Sequence, residues 1–122
     1  MTATASGNRA FESSYALAEP RLKLLAKELA DYVRQLAPSG YLEFAPDSKR
    51  WVERPHNFVT IKVQPRARSV AITIAGRPDQ HVRYPDIDLK QDRGSYARFT
   101  VERTEQLSSA KRLIRAAHDR SL

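Results

Sequence analysis

Apolar residues recur every three or four positions in the segment EPRLKLLAKELADYVRQLAP. This spacing places one set of side chains on a single helical face, namely Leu22, Leu25, Leu29, Val33 and Leu36. Glu19 and Pro20 suit a first helical turn, because proline has no amide proton to leave unpaired there. Pro38 and Gly40 are typical of a helix end. The pattern predicts an amphipathic helix over residues 19–37.

A second helical pattern closes the chain. Thr104 is the predicted N-cap, and Glu105 lies in the first turn, where a carboxylate interacts favourably with the helix dipole. The predicted apolar face consists of Leu107, Ala110, Leu113, Ile114 and Ala117. We therefore expect a second amphipathic helix that packs on the same core as the first.

Between the two helices the apolar period falls to two residues, which is typical of strands with one buried face. Strands are predicted over residues 41–44, 50–54, 58–63, 69–75 and 96–103, and the first two are the shortest. The residues predicted to face the core are Val59, Ile61, Val63, Val70, Ile72, Ile74, Ala97, Phe99 and Val101. Hairpin-length connections, such as the one containing Pro65, indicate antiparallel pairing.

These elements predict an α+β fold, a two-layer sandwich in which N- and C-terminal helices cover one face of an antiparallel sheet of four to five strands. Residues 19–122 form the single predicted domain, after a flexible lead-in over residues 1–18. Residues 76–95 are rich in proline, glycine and acids, and we expect a long excursion with a helical turn near residues 87–91. Two helices cannot easily cover both faces, so the second face is predicted to be exposed or covered by a partner.

The second face is the predicted functional surface. The net charge of +7, from 21 basic and 14 acidic residues, favours polyanions. The residues predicted to contact a nucleic acid or another partner are Phe58, Lys62, Arg66, Arg68, Tyr96 and Arg98. The cations would neutralise phosphates, while the two aromatic rings would stack or pack. A protein-binding or homodimerising face is the alternative. A third interpretation is an ordinary sheet face that is partly exposed to solvent and binds no partner.

Catalytic and metal-binding patterns are not found in the sequence. There is no cysteine, which excludes a disulfide framework, a thiolate zinc site and cysteine catalysis. The four glycines are far apart, so no phosphate-cradling loop is predicted. Asp79 followed by Asp88-Leu89-Lys90 is a superficial match to the motif of metal-dependent nucleases, and a nuclease-like enzyme is therefore the remote alternative function. These residues fall in the proline-rich excursion, which argues against a rigid metal site. We expect a non-catalytic domain without cofactor or metal.

The expected location is the cytoplasm. No apolar stretch approaches the length of a membrane span, and the N-terminal residues show no basic segment followed by an apolar one. No membrane partner is therefore predicted.

Several segments together form a recognisable pattern. The most specific are Asn57-Phe58-Val59, a strand ending in Val63-Gln64-Pro65-Arg66, and a closing helix with Leu113-Ile114-Arg115-Ala116-Ala117. Over residues 22–118 the chain resembles domain-of-unknown-function family 5655, whose members are sometimes labelled predicted transport proteins.

The resemblance implies an accessory or regulatory domain of prokaryotic proteins, found alone or attached to nuclease-like domains. It implies no catalytic residues. The family usually carries a glycine-rich turn with a histidine and an aromatic before the last strand. This chain has only Asp92-Arg93-Gly94-Ser95 at that point, so no role of the turn is carried over.

Overall fold

A computed structural model describes residues 19–121. The predicted lead-in, residues 1–18, lies outside them. The elements in chain order are helix α1 (Pro20–Leu36), strands β1 (Tyr41–Ala45), β2 (Arg50–Arg54), β3 (Val59–Gln64), β4 (Ser69–Ala75), β5 (Lys90–Gln91) and β6 (Tyr96–Val101), and helix α2 (Leu107–Arg120). The order confirms the two predicted helices and the predicted central sheet.

The sheet is antiparallel throughout, with strand order β1-β2-β3-β4-β6-β5. The α+β sandwich is confirmed, although the sheet has six strands where four to five were predicted. The additional strand is β5, in which Lys90 and Gln91 pair with Arg98 and Ala97 of β6. The helical turn predicted near residues 87–91 is wrong, because Lys90 and Gln91 form strand β5 and residues 87–89 are irregular.

Both helices cover one face of the sheet, which we call the inner face. The buried residues of α1 are Leu22, Leu25, Ala26, Leu29, Ala30 and Val33, and the predicted face of α2 is buried from Ala110 to Ala117. They pack on the alternating apolar residues of β3, β4 and β6, all of which are buried except the half-buried Val63. The two helices are also joined by an ion pair of 3.0 Å between Lys111 Nζ and Glu28 Oε2. Neither α-helix covers the opposite, outer face of the sheet.

Phe58 does not point outward, and this corrects the prediction. Its side chain is fully buried, and its ring packs against His118 of α2. The cause is the backbone at Asn57, which has a left-handed φ of 56° and turns the chain just before β3 begins at Val59. The two-residue alternation of β3 therefore does not extend back to Phe58.

The start of α2 also differs from the prediction. A 3-10 turn spans Thr104–Gln106, and the α-helix begins at Leu107. The Thr104 hydroxyl donates to Glu105 Oε1 at 3.1 Å and is not an N-cap. The side chain of Gln106 stabilises the 3-10 turn instead. Its Oε1 accepts hydrogen bonds from the backbone N–H groups of Glu102 and Arg103 at 2.7 and 3.0 Å.

The excursion between β4 and β6 is tied to the rest of the fold. Gln106 Nε2 donates to the carbonyl of Asp86 at 2.9 Å, and the Ser109 hydroxyl donates to Asp86 Oδ1 at 2.8 Å. Ile87 and Leu89 are buried in the core. These contacts hold the segment at the edge of the sheet, where it borders the outer face.

Candidate functional site

The outer face consists of two neighbouring rows of side chains, because residues paired across antiparallel strands point to the same side of a sheet. The first row runs from β3 to β5 and contains Thr60, Thr73, Arg98 and Lys90. The second row contains Lys62, Ala71 and Thr100. The face therefore combines hydroxyl groups with cations.

Two walls make this face concave. One wall is the turn between β1 and β2, with Asp47 and Ser48, and the other is the end of the excursion, with Asp92 and Arg93. Between them lies a cavity of about 630 Å³, and a neighbouring cavity of about 280 Å³ lies over β4 and β6. We call the two cavities together the outer trough.

Two arginines line the outer trough beside Thr73. Arg50 Nη1 reaches from β2 over β3 and donates to Thr73 Oγ1 at 2.9 Å. Arg98 lies directly opposite Thr73 on β6, and both arginines line both cavities. Thr73 is only 7% exposed, so it forms part of the bottom of the outer trough.

Neither arginine is neutralised within residues 19–121. No ion pair joins Arg50 or Arg98 to a carboxylate of a described residue, and Arg50 Nε is buried without a hydrogen-bond partner among them. A buried N–H group without a partner costs free energy, and two like charges that line the same cavities repel each other. An anion between them would relieve both costs.

The charge balance of the outer trough is positive. Five cationic residues and three carboxylates line it, namely Arg50, Arg54, Lys90, Arg93, Arg98, Asp47, Asp88 and Asp92. Two of the cations are engaged locally: Lys90 Nζ lies 3.4 Å from Asp88 Oδ2, and Arg54 Nε lies 3.0 Å from Glu43 Oε1. These pairs are largely exposed, and exposed ion pairs contribute little stability, so a phosphate group can compete with them.

The structure separates the residues that were predicted to form the site. Tyr96 and Arg98 line the outer trough, and Lys62 lies in the adjacent row of the same face. Arg66 and Arg68 are exposed in the turn between β3 and β4, away from the lining of both cavities. The Tyr96 hydroxyl donates to the carbonyl of Asn57 at 3.2 Å, which fixes the ring at the edge of the face. Phe58, as described above, is in the core.

Arg50, Lys90 and Arg93 were missed by the sequence reasoning. Arg50 could have been found from the alternation of β2, in which Trp51 and Glu53 point inward. The signal was obscured because Val52 is apolar and buried although it lies on the outer face, opposite Thr60. For Lys90 and Arg93 no periodic signal exists, since they follow an irregular segment.

A third cavity with a different character lies beside the turn between β1 and β2. It has a volume of about 340 Å³ and is lined by Phe44, Pro46, Lys49, Trp51, Lys62 and Val63. The rings of Phe44 and Trp51 lie 5.1 Å apart at 49°, and Phe44 is 43% exposed. We call this cavity the aromatic pocket.

The acids of the nuclease-like pattern are exposed and engaged separately. Asp79 Oδ1 lies 3.4 Å from Arg77 Nε, and Asp88 pairs with Lys90 as described. Within residues 19–121 no group of three or more histidine or acidic residues is arranged to hold a metal ion.

Comparison with protein-family models, curated proteins and solved structures found no match to this chain. Neither helix in the described part of the chain is long and apolar enough to cross a membrane.

Proposed function

We propose that this domain is a non-catalytic binding module and that the outer trough takes the phosphate backbone of a single-stranded nucleic acid. The observation that carries the proposal is the placement of Arg50 and Arg98 on either side of Thr73 without a carboxylate partner among residues 19–121. Arginine is well suited to phosphate because its planar group donates two parallel hydrogen bonds. The proposal includes an accessory role in a prokaryotic cell, as the resemblance to family 5655 implies. It also includes a location in the cytoplasm, which was expected from the residues alone.

The shape of the outer trough favours a single strand over a duplex. Duplex DNA is usually read by a helix or ribbon that protrudes into a groove. Here the basic surface is concave and its floor is made of short side chains, Thr60, Ala71, Thr73 and Thr100. A flexible strand can follow such a surface, whereas a stiff duplex meets the two walls.

The proposal is tested by titrating labelled single- and double-stranded oligonucleotides of equal length over a series of salt concentrations. We expect tighter binding of the single strand and a linear fall of log affinity with log salt, with a slope of about 0.7 per neutralised phosphate. Arg98→Glu should lower the affinity and flatten the slope. Arg112→Glu, an equal charge change at an exposed position of α2 on the other side of the sheet, should have a much smaller effect. Absence of binding even at low salt would refute the proposal.

The same samples test the non-catalytic assignment. Oligonucleotides incubated with the protein and Mg²⁺ should remain intact. Cleavage that is lost in an Asp88→Asn variant would favour the metal-dependent nuclease reading instead.

A second candidate function is a homodimerising or protein-binding module. It is favoured by β1, an edge strand with β2 as its single neighbour, on which Tyr41 and Phe44 are 37% and 43% exposed. Exposed edge strands can pair with another chain. Sedimentation equilibrium over a wide concentration range separates the candidates: a monomer mass throughout excludes the homodimer, and a mass that doubles supports it.

A further inference from the structure

We infer that the strand bound in the outer trough is RNA, and that Asp88 and Thr100 recognise a ribose 2′-hydroxyl group there. This inference rests on the proposed function and adds to it the class of nucleic acid. Both residues line the smaller cavity of about 280 Å³, which Arg50, Lys90 and Arg98 also line. A carboxylate and a hydroxyl group therefore lie in the same cavity as the cations that are proposed to hold a phosphate.

The carboxylate of Asp88 does not suit a site that holds phosphate alone. Its negative charge repels a phosphate, and it accepts hydrogen bonds but donates none. Lys90 Nζ lies 3.4 Å from Asp88 Oδ2, yet the side chain of Asp88 is 82% exposed, so its other acceptor positions are open to a ligand. The matching ligand carries a hydrogen-bond donor close to a phosphate. The 2′-hydroxyl group of ribose is such a donor, and deoxyribose lacks it.

Thr100 lies beside the proposed phosphate position at Arg98. The two are alternate residues of β6, so their side chains point to the same face of the sheet about 7 Å apart. A sugar next to a phosphate held by Arg98 therefore comes within reach of the exposed Thr100 hydroxyl group. Ala71, the cross-strand partner of Thr100, leaves room for that sugar because its side chain is a single methyl group. A hydroxyl group both donates and accepts hydrogen bonds, as the 2′-hydroxyl group does.

The smaller cavity suits a sugar better than a base. Proteins that bind single strands through their bases stack them on aromatic side chains. Among the described residues that line this cavity, Phe99 is the one aromatic residue, and its side chain is buried in the core on the inner face. The cavity therefore offers polar groups to the backbone of the strand and no aromatic ring to a base.

The test compares three strands of one length and base, namely oligouridine, oligodeoxyuridine and 2′-fluoro-oligodeoxyuridine. All three carry the same phosphates, so we expect similar salt slopes. RNA should bind about tenfold more tightly than DNA, because a hydrogen bond to a charged group corresponds to at least that change in affinity. The 2′-fluoro strand keeps the sugar shape of RNA but has no hydroxyl proton to donate. It should bind as weakly as the DNA strand.

Three variants test the assigned residues. Asp88→Ala removes the acceptor and a negative charge, so it should strengthen binding of DNA and abolish most of the preference for RNA. Asp47→Ala is the matched control, because it makes the same charge change in the larger cavity. It should strengthen binding of both strands and leave their ratio unchanged. Thr100→Val removes one neutral hydrogen-bonding group at similar volume and should lower the preference about threefold.

The outcomes separate this inference from the proposed function. If RNA and DNA bind equally well, the inference is wrong while the proposed function stands. If neither strand binds, the proposed function fails as well. A 2′-fluoro strand that binds as tightly as RNA would show that sugar shape is recognised, and would overturn the role of the hydroxyl group. A preference for RNA that survives in the double variant Asp88→Ala with Thr100→Val would overturn the assignment of these two residues.

Discussion

The ring of Phe58 packs edge-on against the imidazole ring of His118, with centroids 5.1 Å apart and planes at 72°. The contact joins the start of β3 to the last turns of α2. Since the Phe58 side chain is fully buried, it contributes to the packing of helix against sheet and is not available to a ligand on the outer face.

Phe58→Ala should therefore act on stability. Removal of a buried phenylalanine ring costs about 3–5 kcal/mol of unfolding free energy, through lost burial and the cavity left behind. Urea unfolding followed by circular dichroism measures this cost. Phe44→Ala is the control, and its exposed ring should cost less than half as much. A Phe58→Ala protein of normal stability that no longer bound oligonucleotides would contradict the buried position.

Gln106 is predicted to hold the excursion between β4 and β6. It is 6% exposed, and its amide bonds Glu102, Arg103 and the carbonyl of Asp86 at once. Gln106→Ala should lower the unfolding free energy by about 1–3 kcal/mol, because buried backbone groups lose their partners. Hydrogen exchange should show increased exchange in residues 76–95 before the rest of the sheet. Gln35→Ala, at an exposed position of α1, is the control. Uniform loosening of the whole sheet would argue against a local role.

The helices and the long strands could be predicted because their apolar periods are long and regular. The spacing of α1 and the alternation of β3 and β4 each determine a buried face without help from the rest of the chain. The predictions that failed lie where a local backbone change interrupts the period. Asn57, with its left-handed φ, reverses the expected side of Phe58. A 3-10 turn held by the side chain of Gln106 stands where the N-cap was predicted at Thr104. Strand β5 has two residues, too few for any period to be visible.

The candidate site was predictable only in part, for a geometric reason. Lys62, Tyr96 and Arg98 follow from alternation within single strands. Arg50 becomes part of the same site because its side chain spans β3 to reach Thr73. Apolar spacing within one strand does not reveal the order of strands across the sheet, so this contact could not be predicted. The two walls depend in the same way on how the turn and the excursion fold over the sheet.

The pH dependence of stability should include a contribution from Glu105. A hydrogen bond from its own backbone N–H, the hydroxyl of Thr104 and the charge of Arg103 lower the pKa of Glu105 from its ordinary value of 4.5. A lowered pKa in the folded state means that the ionised form stabilises the fold above pH 4.5, and that this contribution is lost as the pH falls through the lowered value. Thr104→Val removes the second of these causes and should raise the pKa of Glu105, measured by nuclear magnetic resonance of its side-chain carboxyl carbon. A pKa that stays unchanged or falls in the variant would contradict the assigned role of the hydroxyl.

Glu53 is predicted to weaken the fold. Its side chain is 1% exposed on the inner face, and neither carboxyl oxygen has a hydrogen-bond partner among residues 19–121. His56 Nδ1 lies 3.9 Å from Glu53 Oε2, which is longer than a hydrogen bond. Glu53→Met leaves no polar atom without a partner, and we expect the unfolding free energy to rise by about 1–3 kcal/mol in urea titrations. Glu43→Met, on the exposed face of β1, should change it by less than about 0.5 kcal/mol. A marked loss of stability in Glu53→Met would show that the carboxyl group has a favourable role in the fold.

The position of the arginines, and not only their number, should determine binding. One double variant, Arg50→Ala with Arg98→Ala, removes two cations from the outer trough. A second, Arg66→Ala with Arg68→Asn, removes two from the exposed turn, and asparagine is chosen because Arg68 has a left-handed φ of 53°. The net charge of both proteins falls equally, so long-range attraction falls to a similar extent. We expect the trough variant to flatten the salt dependence of single-strand binding by about 1.4 in slope, the value for two lost phosphate contacts, and the turn variant to change it much less. Equal losses in the two variants would indicate diffuse attraction to a basic surface, without a defined site at Thr73.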